Sequence, residues 1–178
     1  MGAKASRASN SFAPLIINPT AEIAERAGVL DGSVFTYFDT KRDLLNALYC
    51  DLKAELTATV MASMPIRDKV QVQLYHLWVT WTHWGVSNPA KRHALEQLSV
   101  SDRITEASRK AAYEAAEFPL KLIQQASRKG ALRDAPLQYI GALVEVAVTT
   151  TMDFMVRDPA RADGLCKSGF EAMWRALT

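Results

Sequence analysis

The sequence contains few of the residue patterns that enzymes and metalloproteins need. Its two cysteines, Cys50 and Cys166, are too few and too far apart for a disulfide framework or a zinc site, so buried thiols are expected. It has no glycine-rich phosphate loop, no Cys/His ligand cluster and no nucleophile elbow. We therefore expect no enzyme activity, no catalytic residues, no metal ligands and no cofactor.

Long uncharged apolar segments are also missing. No stretch approaches the roughly 20 residues that span a bilayer, and residues 1–11 lack the apolar core of a signal peptide. Because 49% of the 178 residues are hydrophobic and 22% are charged, the composition is that of a globular protein. We expect a soluble, cytoplasmic protein that does not associate with a membrane.

The sequence also has little net positive charge. The formal net charge is +2, and residues 1–45 contain five basic and five acidic side chains. Neutralisation of phosphates by basic side chains supplies most non-specific DNA affinity. Charge alone therefore does not indicate a nucleic-acid partner, and such a prediction must rest on a motif.

Residues 18–45 contain that motif. Asn18 and Pro19 are suited to begin a short amphipathic helix, and Gly28 is suited to the turn that ends it. Asp31 can cap a second helix, whose Val34, Phe35 and Phe38 are spaced to pack on the first. Two short helices joined by a glycine-containing turn predict a helix-turn-helix, whose second helix enters the major groove of DNA.

Three segments of this region resemble the TetR family of transcriptional regulators almost position by position. They are AEIAERAGV at 21–29, GSVFTYF at 32–38 and KRDLL at 41–45. The resemblance implies an all-α fold with a helix-turn-helix DNA-binding domain over 1–49 and an effector-binding and dimerisation domain over 50–178.

The same resemblance implies which side chains contact operator DNA. Ser33, Phe35, Tyr37 and Lys41 occupy family contact positions, although Phe35 lacks the hydroxyl of the more usual tyrosine. Ser33, Thr36 and Tyr37 are expected to face outward, and Lys41 begins the next helix, where its ammonium and the helix amides can both approach the phosphate backbone. The predicted DNA-binding set is Thr20, Ser33, Phe35, Thr36, Tyr37 and Lys41.

Residues 1–17 depart from the family pattern. A helix is expected there to complete the small core of the DNA-binding domain, but Pro14 would interrupt it. The sequence is compatible with two structures for residues 1–17, a frayed arm or a degenerate first helix. Either would weaken the domain, and this leaves an alternative function: a dimeric ligand-binding or interaction module of the same fold whose DNA binding is weak or lost.

Apolar periodicity predicts helices throughout the rest of the chain. Pro65 should end the first of them, and Pro119 should kink the fourth near Ala115. The predicted helices cover 41–64, 68–86, 89–100, 102–129, 136–157 and 159–177.

Aromatic residues are concentrated in the predicted helix 68–86, which contains three of the four tryptophans. A stripe of this kind can fill a core or line a pocket, and the sequence leaves both open. The resemblance implies a cavity for a small effector beside this helix. We expect a largely apolar ligand and a pocket lined by Trp78, Trp81, Tyr113, Phe118, Met152 and Met155.

The last two predicted helices are more apolar than one small domain can easily cover. Residues 136–157 are apolar or small on nearly every face, and 159–177 form an amphipathic helix. The resemblance implies that these helices pair with their counterparts in a two-fold homodimer. The sequence thus predicts a dimeric regulator, most readily a repressor, that a small-molecule effector releases from double-stranded operator DNA.

Overall fold

The computed structural model of the protein describes Phe38 and residues 40–178. The predicted helix-turn-helix and first helix lie outside these described residues. So do five of the predicted DNA contacts, Thr20, Ser33, Phe35, Thr36 and Tyr37. Lys41 is the one member of that set inside the described part.

The described chain is entirely helical, as predicted, with seven α-helices, one short 3-10 turn and no strand over residues 40–178. The last two helices are joined by the 3-10 turn Pro159–Arg161. The helices are α1 (Lys41–Met61), α2 (Val70–Ser87), α3 (Pro89–Ser99), α4 (Glu106–Ala115), α5 (Glu117–Ser127), α6 (Leu137–Arg157) and α7 (Ala162–Leu177).

Helix α1 begins at a well-formed cap. The Thr40 hydroxyl oxygen accepts a hydrogen bond from the Asp43 backbone N–H at 3.1 Å, and Asp43 places a carboxylate in the first turn. The buried side chains then recur every three or four residues along one face: Leu45, Tyr49, Leu52, Leu56 and Val60. The helix ends three residues before the predicted boundary.

The predicted single helix over 102–129 is wrong. Residues 101–105 form a loop, Thr105 caps α4 by accepting from the Ser108 N–H at 3.2 Å, and the helix breaks at Ala116. The break falls where the kink was predicted. Pro119 is the third residue of α5, a position whose N–H has no intrahelical partner, so the proline costs no hydrogen bond there.

Helices α2 and α6 form the centre of the core and pack against each other. Leu77 and Trp78 of α2 and Val148 and Met155 of α6 are at most 3% exposed. The close approach of neighbouring helices needs small residues. A Cβ at Gly169 of α7 would lie 2.6 Å from the Thr151 hydroxyl, which leaves no room for a side chain.

Helix α6 is buried on one side only. Its opposite side has a stripe of residues, spaced by four or seven positions, that the described chain leaves exposed: Tyr139, Val146, Thr150 and Phe154. By length and composition alone, α6 is the one described helix apolar enough to cross a membrane, a test that core helices of soluble proteins also pass. Two acidic residues of this helix, Glu145 and Asp153, form ion pairs with other helices of the chain.

Candidate functional site

A cavity of about 330 Å³ lies among α1, α2, α4, α5 and α6. Each of these helices contributes side chains to its wall. The lining residues are Tyr49, Lys53, Leu56, Thr57, Val60, Leu77, Trp81, Arg109, Ala112, Tyr113, Ala116, Pro119, Leu120, Ile123, Gln138, Gly141, Ala142, Val144 and Glu145.

Small residues and a helix break create this space. Ala112 and Ala116 lie at the end of α4, and Gly141 and Ala142 lie at the start of α6, so few atoms fill the volume between the helices. The nearest side-chain atom to a Cβ built at Gly141 is a Leu120 methyl carbon at 3.6 Å. Well-packed cores rarely leave voids of this size, so the cavity is a distinct feature of the fold.

The cavity wall is mainly apolar. Leu56, Val60 and Leu77 are at most 7% exposed, and they form the side contributed by α1 and α2. Trp81 adds a half-buried indole to the same wall. A wall of this composition favours a ligand with an apolar body.

Polar groups interrupt the wall beside α1. The Lys53 ammonium lies 3.4 Å from Glu145 of α6 and 5.9 Å from the centre of the Tyr49 ring. Burial raises the pKa of the Tyr49 phenol, and the nearby positive charge of Arg109 opposes that shift. Tyr49 is therefore neutral at physiological pH and offers a hydroxyl that can donate a hydrogen bond.

Arg109 is the second cation of the wall. Its guanidinium donates to the Ser99 and Ser101 carbonyl oxygens, each at 2.8 Å. Across Phe38 and residues 40–178, no carboxylate oxygen lies within 4.0 Å of its nitrogens. Two cations and one carboxylate thus line the cavity, which gives the wall one excess positive charge.

The structure brings two of the six predicted pocket residues into this wall. Trp81 and Tyr113 line the cavity. Phe118 lies beside Pro119 on α5, but it is 36% exposed and does not line the cavity. The remaining three, Trp78, Met152 and Met155, are core residues outside the cavity wall.

Specific contacts hold these three residues in the core. The Trp78 indole N–H donates to the Cys166 carbonyl oxygen at 3.0 Å, and its ring meets the Phe170 ring edge-on at 6.3 Å between centroids. Met152 packs on Gly85, where a Cβ would overlap the Met152 sulfur. Met155 is 1% exposed. The pocket assignment is therefore revised for these residues, because helix–helix packing takes up their side chains.

Sequence reasoning missed the charged residues of the cavity. Tyr49 and Lys53 are four residues apart on α1, so the helical period places them on one face, but it does not indicate that this face borders a cavity. Arg109 and Glu145 come from two other helices and carry no local signal.

The first turns of α1 are tied to the beginning of α4 by hydrogen bonds. The Asn46 side-chain oxygen accepts from the Thr105 backbone N–H at 2.8 Å, and its amide nitrogen donates to the Arg103 carbonyl oxygen at 3.0 Å. Arg42 donates to the same carbonyl at 3.3 Å. Since Thr105 caps α4 and α4 lines the cavity, these bonds connect the cavity wall to the start of α1.

Metal ligands are not grouped in the described chain. Over residues 40–178, no cluster of three or more His, Cys, Asp or Glu side chains could hold an ion. His76 instead contacts the Val60 carbonyl oxygen at 3.0 Å, and Cys50 and Cys166 are free thiols.

Comparison with known proteins gives one family match and one structural match. Residues 19–48 match the family model described as bacterial regulatory proteins, tetR family. A crystal structure of a proposed tetR family transcription regulator from Shewanella sp. PV-4 is similar to this chain, with a TM-score of 0.74 and 26% sequence identity. The similarity covers 89% of this chain and 86% of that one.

Proposed function

This chain belongs to the TetR family of bacterial transcription regulators, and we propose that it is a homodimeric repressor released from operator DNA by a small ligand. The observation that carries the proposal is the course of α1. This helix begins at Lys41, inside the segment 19–48 that matches the family, and continues to Met61. On the way it contributes Tyr49, Lys53 and Leu56 to the cavity wall. One rigid element therefore belongs to both the DNA-binding segment and the ligand cavity.

The proposed division into domains at residues 49 and 50 falls within α1. The DNA-binding domain covers 1–49 and the effector-binding and dimerisation domain covers 50–178. Because α1 is continuous across this boundary, a displacement of its cavity end would tilt its first turn. That tilt would change the spacing of two recognition helices in a dimer, which must fit successive major grooves.

We assign DNA contact to Thr20, Ser33, Phe35, Thr36, Tyr37 and Lys41. Lys41 is the first residue of α1, directly after the Thr40 cap. The exposed amides and the positive dipole end of a helix N-terminus favour a phosphate. A soluble protein that binds operator DNA in bacteria acts in the cytoplasm, and we place it there.

We assign dimerisation to residues 136–157 and 159–177. The stripe of α6 (Tyr139, Val146, Thr150 and Phe154) stays exposed within residues 40–178, and α7, which packs beside α6, presents small residues at four-residue spacing. The latter are Gly164, Ser168, Ala172 and Ala176. Two such helices from each subunit can pack closely into a four-helix bundle.

Substituting Tyr37 and Lys41 tests the DNA-binding assignment. In the double variant Tyr37→Phe and Lys41→Ala, we expect operator affinity to fall by about 2–3 kcal/mol, because two backbone contacts are lost. The plot of log affinity against log salt should also become shallower by about one. Fluorescence anisotropy over a range of salt concentrations measures both quantities.

A matched control is Lys129→Ala, which removes an exposed lysine beyond the end of α5. Its affinity and salt dependence should equal those of the unaltered protein. Equal DNA binding by the double variant and the control would remove Tyr37 and Lys41 from the contact set. It would also favour the alternative of a ligand-binding module with weak DNA binding.

Removing the Asn46 side chain tests the connection between the start of α1 and the cavity wall formed by α4. The variant Asn46→Ala loses the hydrogen bonds to Thr105 and Arg103, so α1 is less firmly held at its first turns. We expect operator affinity to weaken by about 5- to 30-fold, which corresponds to roughly 1–2 kcal/mol. Hydrogen exchange of the Thr105 amide should accelerate in parallel.

The control for this variant is Asn88→Ala, which removes an amide that donates to the Trp84 carbonyl oxygen at 2.9 Å, away from α1 and α4. It should leave operator affinity within about twofold of wild type, inside the scatter expected for a substitution remote from the contact. An Asn46 variant that binds DNA normally would show that these bonds do not position the DNA-binding domain.

A further inference from the structure

The charges of the cavity specify more about its ligand than its apolar wall does. The ionisable side chains of its wall include Tyr49, Lys53, Arg109 and Glu145. Lys53 and Glu145 lie 3.4 Å apart and neutralise each other. Tyr49 carries no charge at physiological pH, since burial raises its pKa. Arg109 is left as the cation that no carboxylate of the described chain neutralises.

Arg109 is also held in a fixed position. Two of its five N–H groups donate to the Ser99 and Ser101 carbonyl oxygens, which orient the guanidinium without cancelling its charge. Among residues 40–178 its other N–H groups have no hydrogen-bond acceptor, so they are available to a ligand. A guanidinium beside an apolar wall is poorly solvated, so an anionic oxygen placed there would gain a charge-assisted hydrogen bond.

We propose that the cavity binds an amphipathic monoanion, a carboxylate with an aromatic or aliphatic body, whose charged group pairs with Arg109. The apolar body lies against Leu56, Leu77 and Trp81. The Tyr49 hydroxyl lies on the same wall and can donate to the second carboxylate oxygen. This ligand class rests on the proposed function, because it specifies the effector of the same cavity.

Neutral and cationic ligands fit the charges less well. An alcohol can accept a hydrogen bond from Arg109 but leaves the positive charge uncompensated. An ammonium would face two cations and would have to share the Glu145 carboxylate with Lys53. The expected order of affinity is therefore carboxylate, then alcohol, then ammonium.

A matched series of probes tests this order. The probes are 4-phenylbutanoate, 4-phenylbutan-1-ol and 4-phenylbutylammonium, together with the same three head groups on an eight-carbon chain. Isothermal titration calorimetry on the full-length protein at pH 7.5 should show the carboxylate binding at least tenfold tighter than the alcohol at one or both lengths. Equal affinities, preference for the alcohol or the ammonium, or no binding of any probe would overturn the proposal.

Two substitutions of Arg109 test whether this residue pairs with the carboxylate of the ligand. Arg109→Gln should weaken carboxylate binding at least tenfold and leave alcohol binding within twofold, whereas Arg109→Lys should keep most of the preference. Arg128→Gln is the matched control, because Arg128 is exposed at the end of α5. An unchanged preference in Arg109→Gln would overturn the assignment of the charged group.

A second variant keeps the test decisive if Arg109→Gln does not fold. Glu145→Gln removes the carboxylate of the wall and raises its excess positive charge, so the preference for the carboxylate probe should increase several-fold. A decreased preference would contradict the proposal.

Failure of the ligand class and failure of the proposed function are distinguishable. If saturating carboxylate probe binds through Arg109 but leaves operator binding unchanged, the ligand class stands and the release mechanism fails. If the alcohol probe binds equally well and still releases the protein from DNA, the release mechanism stands and the anionic ligand class fails.

Discussion

Replacing Trp78 with alanine is expected to lower the free energy of unfolding by about 3–5 kcal/mol, the range for truncating a buried tryptophan. Trp78 is 2% exposed, and its indole N–H donates to the Cys166 carbonyl oxygen at 3.0 Å. The ring also fills the space above Gly169, where a Cβ would lie 2.9 Å from it. The alanine variant would leave a cavity between α2 and α7 that neighbouring side chains cannot fill.

Trp81 provides the matched comparison on the same helix. It is half-buried and lines the cavity, so Trp81→Ala enlarges an existing space instead of opening a new one. We expect it to cost about half as much stability as Trp78→Ala or less, since the area removed from a packed environment is smaller. It should instead weaken binding of apolar probes.

Urea unfolding followed by circular dichroism measures both variants. The protein concentration must be held constant, because the stability of a dimer depends on it. If Trp81→Ala lowered the free energy of unfolding as much as Trp78→Ala or more, the assignment of Trp78 to the core and Trp81 to the cavity would be contradicted. Normal ligand binding by Trp81→Ala would remove that residue from the site.

A charge on the exposed face of α6 is expected to dissociate the dimer. Val146 is 65% exposed in the single chain and lies at the middle of the stripe assigned to the subunit interface. In Val146→Arg, two guanidinium groups would be brought together between apolar helices at the two-fold axis. We expect the dimer dissociation constant to rise at least about 100-fold, which corresponds to roughly 3 kcal/mol.

The control is Val100→Arg, which makes the same chemical change at an 85% exposed position after α3. Sedimentation equilibrium should show a dimer for wild type and for this control, and a monomer for Val146→Arg at micromolar concentration. The monomeric variant should also lose operator affinity, because two half-sites need two linked recognition helices. A fully dimeric Val146→Arg would place the interface elsewhere.

The helical architecture could be predicted because it depends on local patterns. Leucines at helical spacing and the Pro65 and Pro89 boundaries are visible within a few positions of sequence. The proline pattern predicts a distortion near Ala115, close to the observed break at Ala116, but local sequence does not predict that α4 starts as late as Glu106. Thr105 caps that start, and its backbone N–H is bound by the Asn46 side chain. That contact joins residues 59 positions apart and leaves no local trace.

The cavity could be predicted only in part for the same reason. Trp78 and Trp81 are the same residue type and lie three positions apart on one helix, so the sequence does not show which of them lines the cavity. The role of Trp78 follows from Gly169 and Cys166 on α7, which contact its indole. The charged residues Lys53, Arg109 and Glu145 meet only because three helices converge. Periodicity shows which face of each helix is polar, but not which polar faces meet.

The most direct test of the central claim is operator binding by the unaltered protein. Fluorescence anisotropy would compare the intergenic DNA upstream of its own coding sequence with a scrambled duplex of equal length, at low and at moderate salt. We expect a dissociation constant near 10⁻⁸ M or below for the upstream DNA, about 10³-fold or more tighter than for the scrambled duplex, and weaker at higher salt. Equal affinity for the two duplexes, or no binding by a folded dimer, would contradict the regulator and leave a ligand-binding module of the same fold.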